Sequence, residues 1–140
     1  MQYHLEQAKS LLKEQNLTCA IVGNTTNYTS TQRGVAPLLA CYHQKLAETH
    51  CSAADKVVGK AAAFLYQLLE VDAGDAEIIS RPALKVLENA GIQAEYGQLV
   101  DAIINRTGTG FCPMESAVLK INDPHEALIA IEETLKKLRA

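Results

Sequence analysis

The stretch from Lys60 to Leu69, Lys-Ala-Ala-Ala-Phe-Leu-Tyr-Gln-Leu-Leu, is apolar on almost every side when wound as a helix. Such a helix has no face for water and must be enclosed, most simply against a sheet. Its flanks supply one. Ser52 to Val58 reads as a strand, although Asp55 and Lys56 interrupt it, and Ala76 to Ser80 reads as another. Strand, helix, strand in that order implies parallel pairing with the helix as the crossover.

The rest of the chain extends this unit. Leu5, Ala8 and Leu12 fall on one face of an amphipathic helix that stops near Asn16. Thr18 to Val22 is a β-branched run, and Gly23 to Asn27 is turn material. Tyr28 to Thr31 then returns as the second strand of a hairpin. Pro37 suits the first turn of a helix reaching about Glu48. After Ala76 to Ser80 come a short helix from Pro82 to Asn89, stopped by Gly91, and a strand over Gln93 to Tyr96. A loop from Asn105 to Phe111, a short helix from Pro113 and a last helix from Pro124 to Leu138 complete the chain. The expected fold is α/β. It is a three-layer α/β/α sandwich with a mixed sheet of about five strands, forming one domain over residues 1–140.

A chain of 140 residues is long enough for one core without staples. The net charge of -3 and the lack of a basic stripe argue against nucleic acid as a partner. No apolar run approaches the roughly 20 residues of a membrane helix, and the N-terminus carries no secretion signal. The four cysteines, Cys19, Cys41, Cys51 and Cys112, form no CxxC pair and read as free thiols in a cytoplasmic protein.

Three stretches carry a resemblance. They are Arg33-Gly34-Val35-Ala36-Pro37-Leu38-Leu39, Ala54-Asp55-Lys56-Val57-Val58-Gly59-Lys60-Ala61-Ala62, and Ile104-Asn105-Arg106-Thr107-Gly108-Thr109-Gly110-Phe111-Cys112-Pro113-Met114-Glu115. Together they resemble the prokaryotic family called domain of unknown function 1893, over most of the chain up to about Asp123. The resemblance implies a cytidine-deaminase-like fold and no particular activity. A zinc deaminase needs H-x-E followed by P-C-x-x-C, to hold the metal and move the proton. His4-Leu5-Glu6 matches the first half by spelling, but it lies in the opening helix, and P-C-x-x-C is absent. Where that superfamily places its ligands, at the starts of the second and third helices, this chain has Arg33-Gly34-Val35 and Lys56 to Ala61. Cationic side chains there repel a metal. Cys41, His43, His50 and Cys51 lack the spacing of a zinc knuckle. No cofactor and no metal are expected.

The candidate ligand-binding residues are therefore Arg33, Gly34, Asp55, Lys56, Gly59, Lys60, Asn105, Arg106, Thr107, Gly108, Thr109 and Gly110. Gly108 and Gly110 free backbone amides for an anion, Thr107 and Thr109 add hydroxyls, and Arg106 adds a guanidinium fork. Gly59-Lys60 leaves the first N–H groups of the next helix free, beyond the carboxyl end of a strand where ligands gather. The competing reading makes these turns and strand-end salt bridges. Cys112-Pro113-Met114-Glu115 likewise reads as an ordinary helix start, as does Asp123-Pro124-His125-Glu126 with its better cap. Cys112, at a helix start near Arg106, and Asp55 are the candidate catalytic groups. Three functions remain open: a binder of a small anion such as a nucleotide or phosphorylated metabolite; an enzyme using Cys112 or Asp55 without zinc; and a structural domain that forms homo-oligomers.

Overall fold

The computed structural model describes residues 2–104 and 112–139. Helix α1 (Gln2–Glu14) buries Leu5, Ala8 and Leu12 along one face. Asn16 ends it at φ 52°, a left-handed conformation that asparagine tolerates. A hairpin follows. Its first strand, β1 (Cys19–Val22), is buried at every position, while β2 (Asn27–Ser30) forms one edge of the sheet. Helix α2 (Ala36–Gln44) carries Pro37 in its first turn. It stops before the expected Glu48, because Lys45 adopts a left-handed conformation at φ 53°.

Two successive strand–helix units form the centre: β3 (Ser52–Val58) with α3 (Lys60–Leu68), then β4 (Ala73–Ser80) with α4 (Arg81–Asn89). β5 (Gln93–Val100), α5 (Pro113–Val118) and α6 (Pro124–Arg139) complete the order. The open sheet runs β2-β1-β3-β4-β5. β1 is antiparallel to both its neighbours, whereas β3, β4 and β5 are parallel. β4 begins earlier than expected, because Gly74 and Asp75 have poor strand propensity yet pair with Ala53 and Ala54. β5 runs on past Tyr96 to Val100, following the same parallel register.

Helices cover both faces. On one, α1 sets Ala8 and Leu12 against Ala20, Val22 and Ala54. On the other lies the larger core, built around α3, whose residues Ala61 to Tyr66 are all buried. The alanines let α3 lie close to the sheet. Gly74 has a more specific role: a Cβ there would stand 2.7 Å from the Tyr66 ring.

The parallel strands share one irregularity. The Asp55–Ala76 and Val57–Ile78 pairs form, but the row between them, Lys56–Glu77, is skipped. β4 and β5 skip Glu77–Gly97 in the same row. Ala76 and Ile79 both enter the large core although they are three residues apart, so side-chain alternation changes phase across this row.

Candidate functional site

β3 delivers Asp55 toward the helix-rich face, just before the skipped row. It is only 6% exposed. The Tyr66 hydroxyl, from the middle of α3, donates to its Oδ2, and the Cys19 thiol of β1 donates to it as well. Both bonds favour the charged form, but burial outweighs them and pushes the carboxyl up to about 7. Burial, followed by the Asp55 charge, also holds the Tyr66 phenol well above its usual range. The Cys41 thiol of α2 rises to about 11, from burial and then from Cys51 and Asp55. The carboxyl is thus surrounded by Tyr66, Cys19 and Cys41, none of which is a cation.

Beside Asp55 opens a cavity of about 520 Å³. Arg33 and Gly34 reach it from the segment before α2, Lys56 and Gly59 from the end of β3, and Cys112 from the start of α5. Its walls are largely apolar, from Val35, Val57, Ala61, Ala62, Ile103 and Met114. Gly34 sits at φ 67°, where a side chain would be strained, and this turn carries Arg33 to the cavity. Among the described residues no carboxylate pairs with Arg33. Lys56 donates to Asn16 Oδ1 at 3.3 Å.

The structure thus brings together Arg33, Gly34, Asp55, Lys56, Gly59 and Cys112 around one cavity. It does not bring Lys60. That ammonium donates to the Leu119 carbonyl at 3.0 Å and lies 5.7 Å from the Phe64 ring centroid, beside a separate cavity between α3 and α4. Asn105, Arg106, Thr107, Gly108, Thr109 and Gly110 lie outside the described residues. On either side of them Cys112 N–H donates to the Ile103 carbonyl at 3.1 Å, and both of these residues line the cavity. Cys112 stands at the N-cap of α5 but makes no capping bond through its side chain.

Glu115 is the site residue that sequence reasoning missed. Its Oε1 accepts from the Lys60 N–H at 2.7 Å and its Oε2 from the Ala61 N–H at 3.1 Å. The first amides of α3, expected to be free for a ligand, are therefore occupied. Gly59 permits this, because a Cβ there would collide with the Glu115 carboxylate. In sequence, Glu115 has the spacing of an N3 residue serving its own helix. Nothing local points to a partner 55 residues away.

Among the described residues, no group of three His, Cys, Asp or Glu side chains is placed to hold a metal. His4 and Glu6 belong to α1, on the far face of the sheet. His43 pairs with Glu132 at 2.7 Å and His50 with Asp72 at 2.8 Å, while Cys41 and Cys51 are buried. No described helix is long and apolar enough to cross a membrane.

Comparison with other proteins places the chain. A crystal structure of the DUF1893 family protein TM1506 from Thermotoga maritima superimposes with a TM-score of 0.84 at 26% sequence identity, covering 98% of this chain and 91% of that one. No curated protein matches. The sequence pattern of the family described as domain of unknown function (DUF1893) matches residues 7–135. With a match of that extent and a related structure over nearly its whole length, the chain belongs to the DUF1893 family.

Proposed function

We propose that this protein binds a small organic anion, such as a nucleotide or another phosphorylated metabolite, in the cavity at the end of β3. The observation that carries the reading is Arg33: a guanidinium lining a largely apolar cavity, with no carboxylate partner among the described residues. Neither carboxyl nearby forms an ion pair with it. Glu115 is committed to the α3 amides, and Asp55 holds its proton up to about 7. Lys56 adds a second positive charge. Apolar walls with a few placed polar groups are the usual make-up of a small-molecule site. The sheet order β2-β1-β3-β4-β5, with an antiparallel β1, supports a cytidine-deaminase-like scaffold without zinc. On this reading the protein works in the cytoplasm, where free thiols stay reduced.

Thermal unfolding of the protein with a panel of nucleotides and sugar phosphates tests this. A ligand at about 100 times its Kd stabilises by about 2.7 kcal/mol, which raises Tm by roughly 5–10 °C for a domain of this size. The shift should vanish in Arg33→Ala. A panel that moves Tm nowhere, or moves it equally in the variant, ends the proposal.

One observation favours a second reading, that of a zinc-free enzyme. A buried carboxyl poised near neutrality is suited to general acid–base work, and Asp55 is such a group. Product formation from a ligand that shifts Tm, lost in Asp55→Asn, would decide for it.

A further inference from the structure

We infer that Asp55 forms the floor of a subsite for a planar nitrogen base, meeting a ring nitrogen and the amino group beside it. This deepens the anion-binding reading and rests on it for one half. The complete ligand has such an edge at one end and a negative group for Arg33 at the other.

The geometry begins with the two ends of the cavity. Asp55 and Arg33 both line it, but only Asp55 is buried. An anion placed against Asp55 would face a carboxyl and the polarised hydroxyl and thiol that already serve it. A nitrogen base would not. A neutral carboxyl donates to a ring nitrogen and accepts from the adjacent amino group, and a carboxylate accepts from both once the ring carries the proton. The two arrangements share one geometry. The proton moves from the Asp55 oxygen to the ring nitrogen, the O–H bond breaking as the N–H bond forms, and no other reactant is needed.

The surroundings suit this exchange. Tyr66 holds Oδ2 from α3 and Cys19 donates from β1, so the carboxyl is fixed in place. Cys41 faces it from α2, and Asp75 of β4 acts on Tyr66. Around the cavity stand Arg33, Lys56, Glu115 and Cys112. Val57, Ala62 and Met114 supply flat apolar wall, and a methionine sulfur makes favourable contacts with aromatic rings. Because carboxyl and base then compete for one proton, binding is strongest between their two pKa values.

Two simple probes separate the halves. 2-Aminopyridine carries the nitrogen edge without an anion, and inorganic phosphate carries the anion without the edge. Each is titrated into the full chain by NMR. 2-Aminopyridine should bind the native protein, weaken at least about tenfold in Asp55→Ala, which removes both hydrogen bonds where asparagine would mimic the neutral carboxyl, and be unaffected by Arg33→Ala. Phosphate should show the reverse dependence. Tyr66→Phe, which alters a positioning residue, should raise the pH at which the Asp55 carboxyl titrates and weaken 2-aminopyridine severalfold. 2-Aminopyridine that fails to bind the native chain, or binds Asp55→Ala equally well, overturns the subsite. Phosphate that fails to bind sinks the anion half and leaves the subsite standing. Should Asp55→Ala not fold, the carboxyl carbon of Asp55 in the native protein decides. Its titration must move with 2-aminopyridine and stay put with phosphate, and an unmoved signal overturns the inference.

Discussion

Helices α3 and α4 are both nine residues long and follow successive parallel strands on the same face of the sheet. They are held in opposite ways. At the start of α4, Ser80 Oγ accepts from the Ala83 N–H at 3.2 Å, a cap three residues away that needs nothing else. At the start of α3 stands Gly59, without a side chain, and the capping carboxylate comes from Glu115 on α5. The middles differ too. α4 buries only Ala83 and Leu87, whereas α3 sends the Tyr66 hydroxyl to Asp55. A helix fixed by its own sequence can stand anywhere. One fixed by distant carboxylates ties together the parts of the chain that enclose the cavity.

The largest effect that sharpens this contrast comes from Asp55. Its folded carboxyl titrates at about 7 against an ordinary value of 3.8, so between these values the folded state holds a proton that the unfolded state has lost. Its contribution to stability is therefore undiminished below about pH 4, falls as pH rises toward 7, and levels off above. The fall is on the order of 4 kcal/mol. Asp55→Asn should flatten this slope in urea unfolding measured from pH 4.5 to 8. Parallel slopes in the two proteins would mean that no titrating group holds the middle of α3.

Next in size is Glu115→Ala, which strands two part-buried N–H groups and should cost about 1–3 kcal/mol by the same measurement. Gly59→Ala should come close behind, since its methyl must displace the same carboxylate. The double variant should lose less than the sum of the two, and simple additivity would break the link between Gly59 and Glu115. Smallest is Ser80→Ala, at about 1 kcal/mol. It should leave 2-aminopyridine and phosphate titrations unchanged, whereas Glu115→Ala should alter both. A larger loss from Ser80→Ala than from Glu115→Ala would reverse the comparison.

The same division explains what could be read in the residues beforehand. The apolar run Lys60–Leu69 announced a buried helix, and Ser52–Val58 a strand, because periodicity and β-branching act locally. Pro37, Asn16 and Gly91 marked boundaries for equally local reasons. The early start of β4 was hidden, since the Gly74 and Asp75 pairings are made by neighbouring strands rather than by propensity. In the site, the position of Gly59 beyond the carboxyl end of a parallel strand followed from the order of elements. The direction of Lys60 did not, because the Leu119 carbonyl and the Phe64 ring that attract its ammonium are assembled only by folding. Glu115 was misassigned for the same reason: local grammar gave it a partner, and tertiary structure gave it another.

The skipped row shared by β3, β4 and β5 limits how this chain can change length. All three strands alter phase at the same level, so their buried sides agree only while their lengths agree. Deleting one residue from β4 after Glu77 would bring Ile79 to the place of Ile78 and turn the wrong side chain toward the core. Neither neighbour could compensate alone. Insertions and deletions are therefore confined to the loops, and the three strands behave as one seam whose stitches must be moved together or not at all.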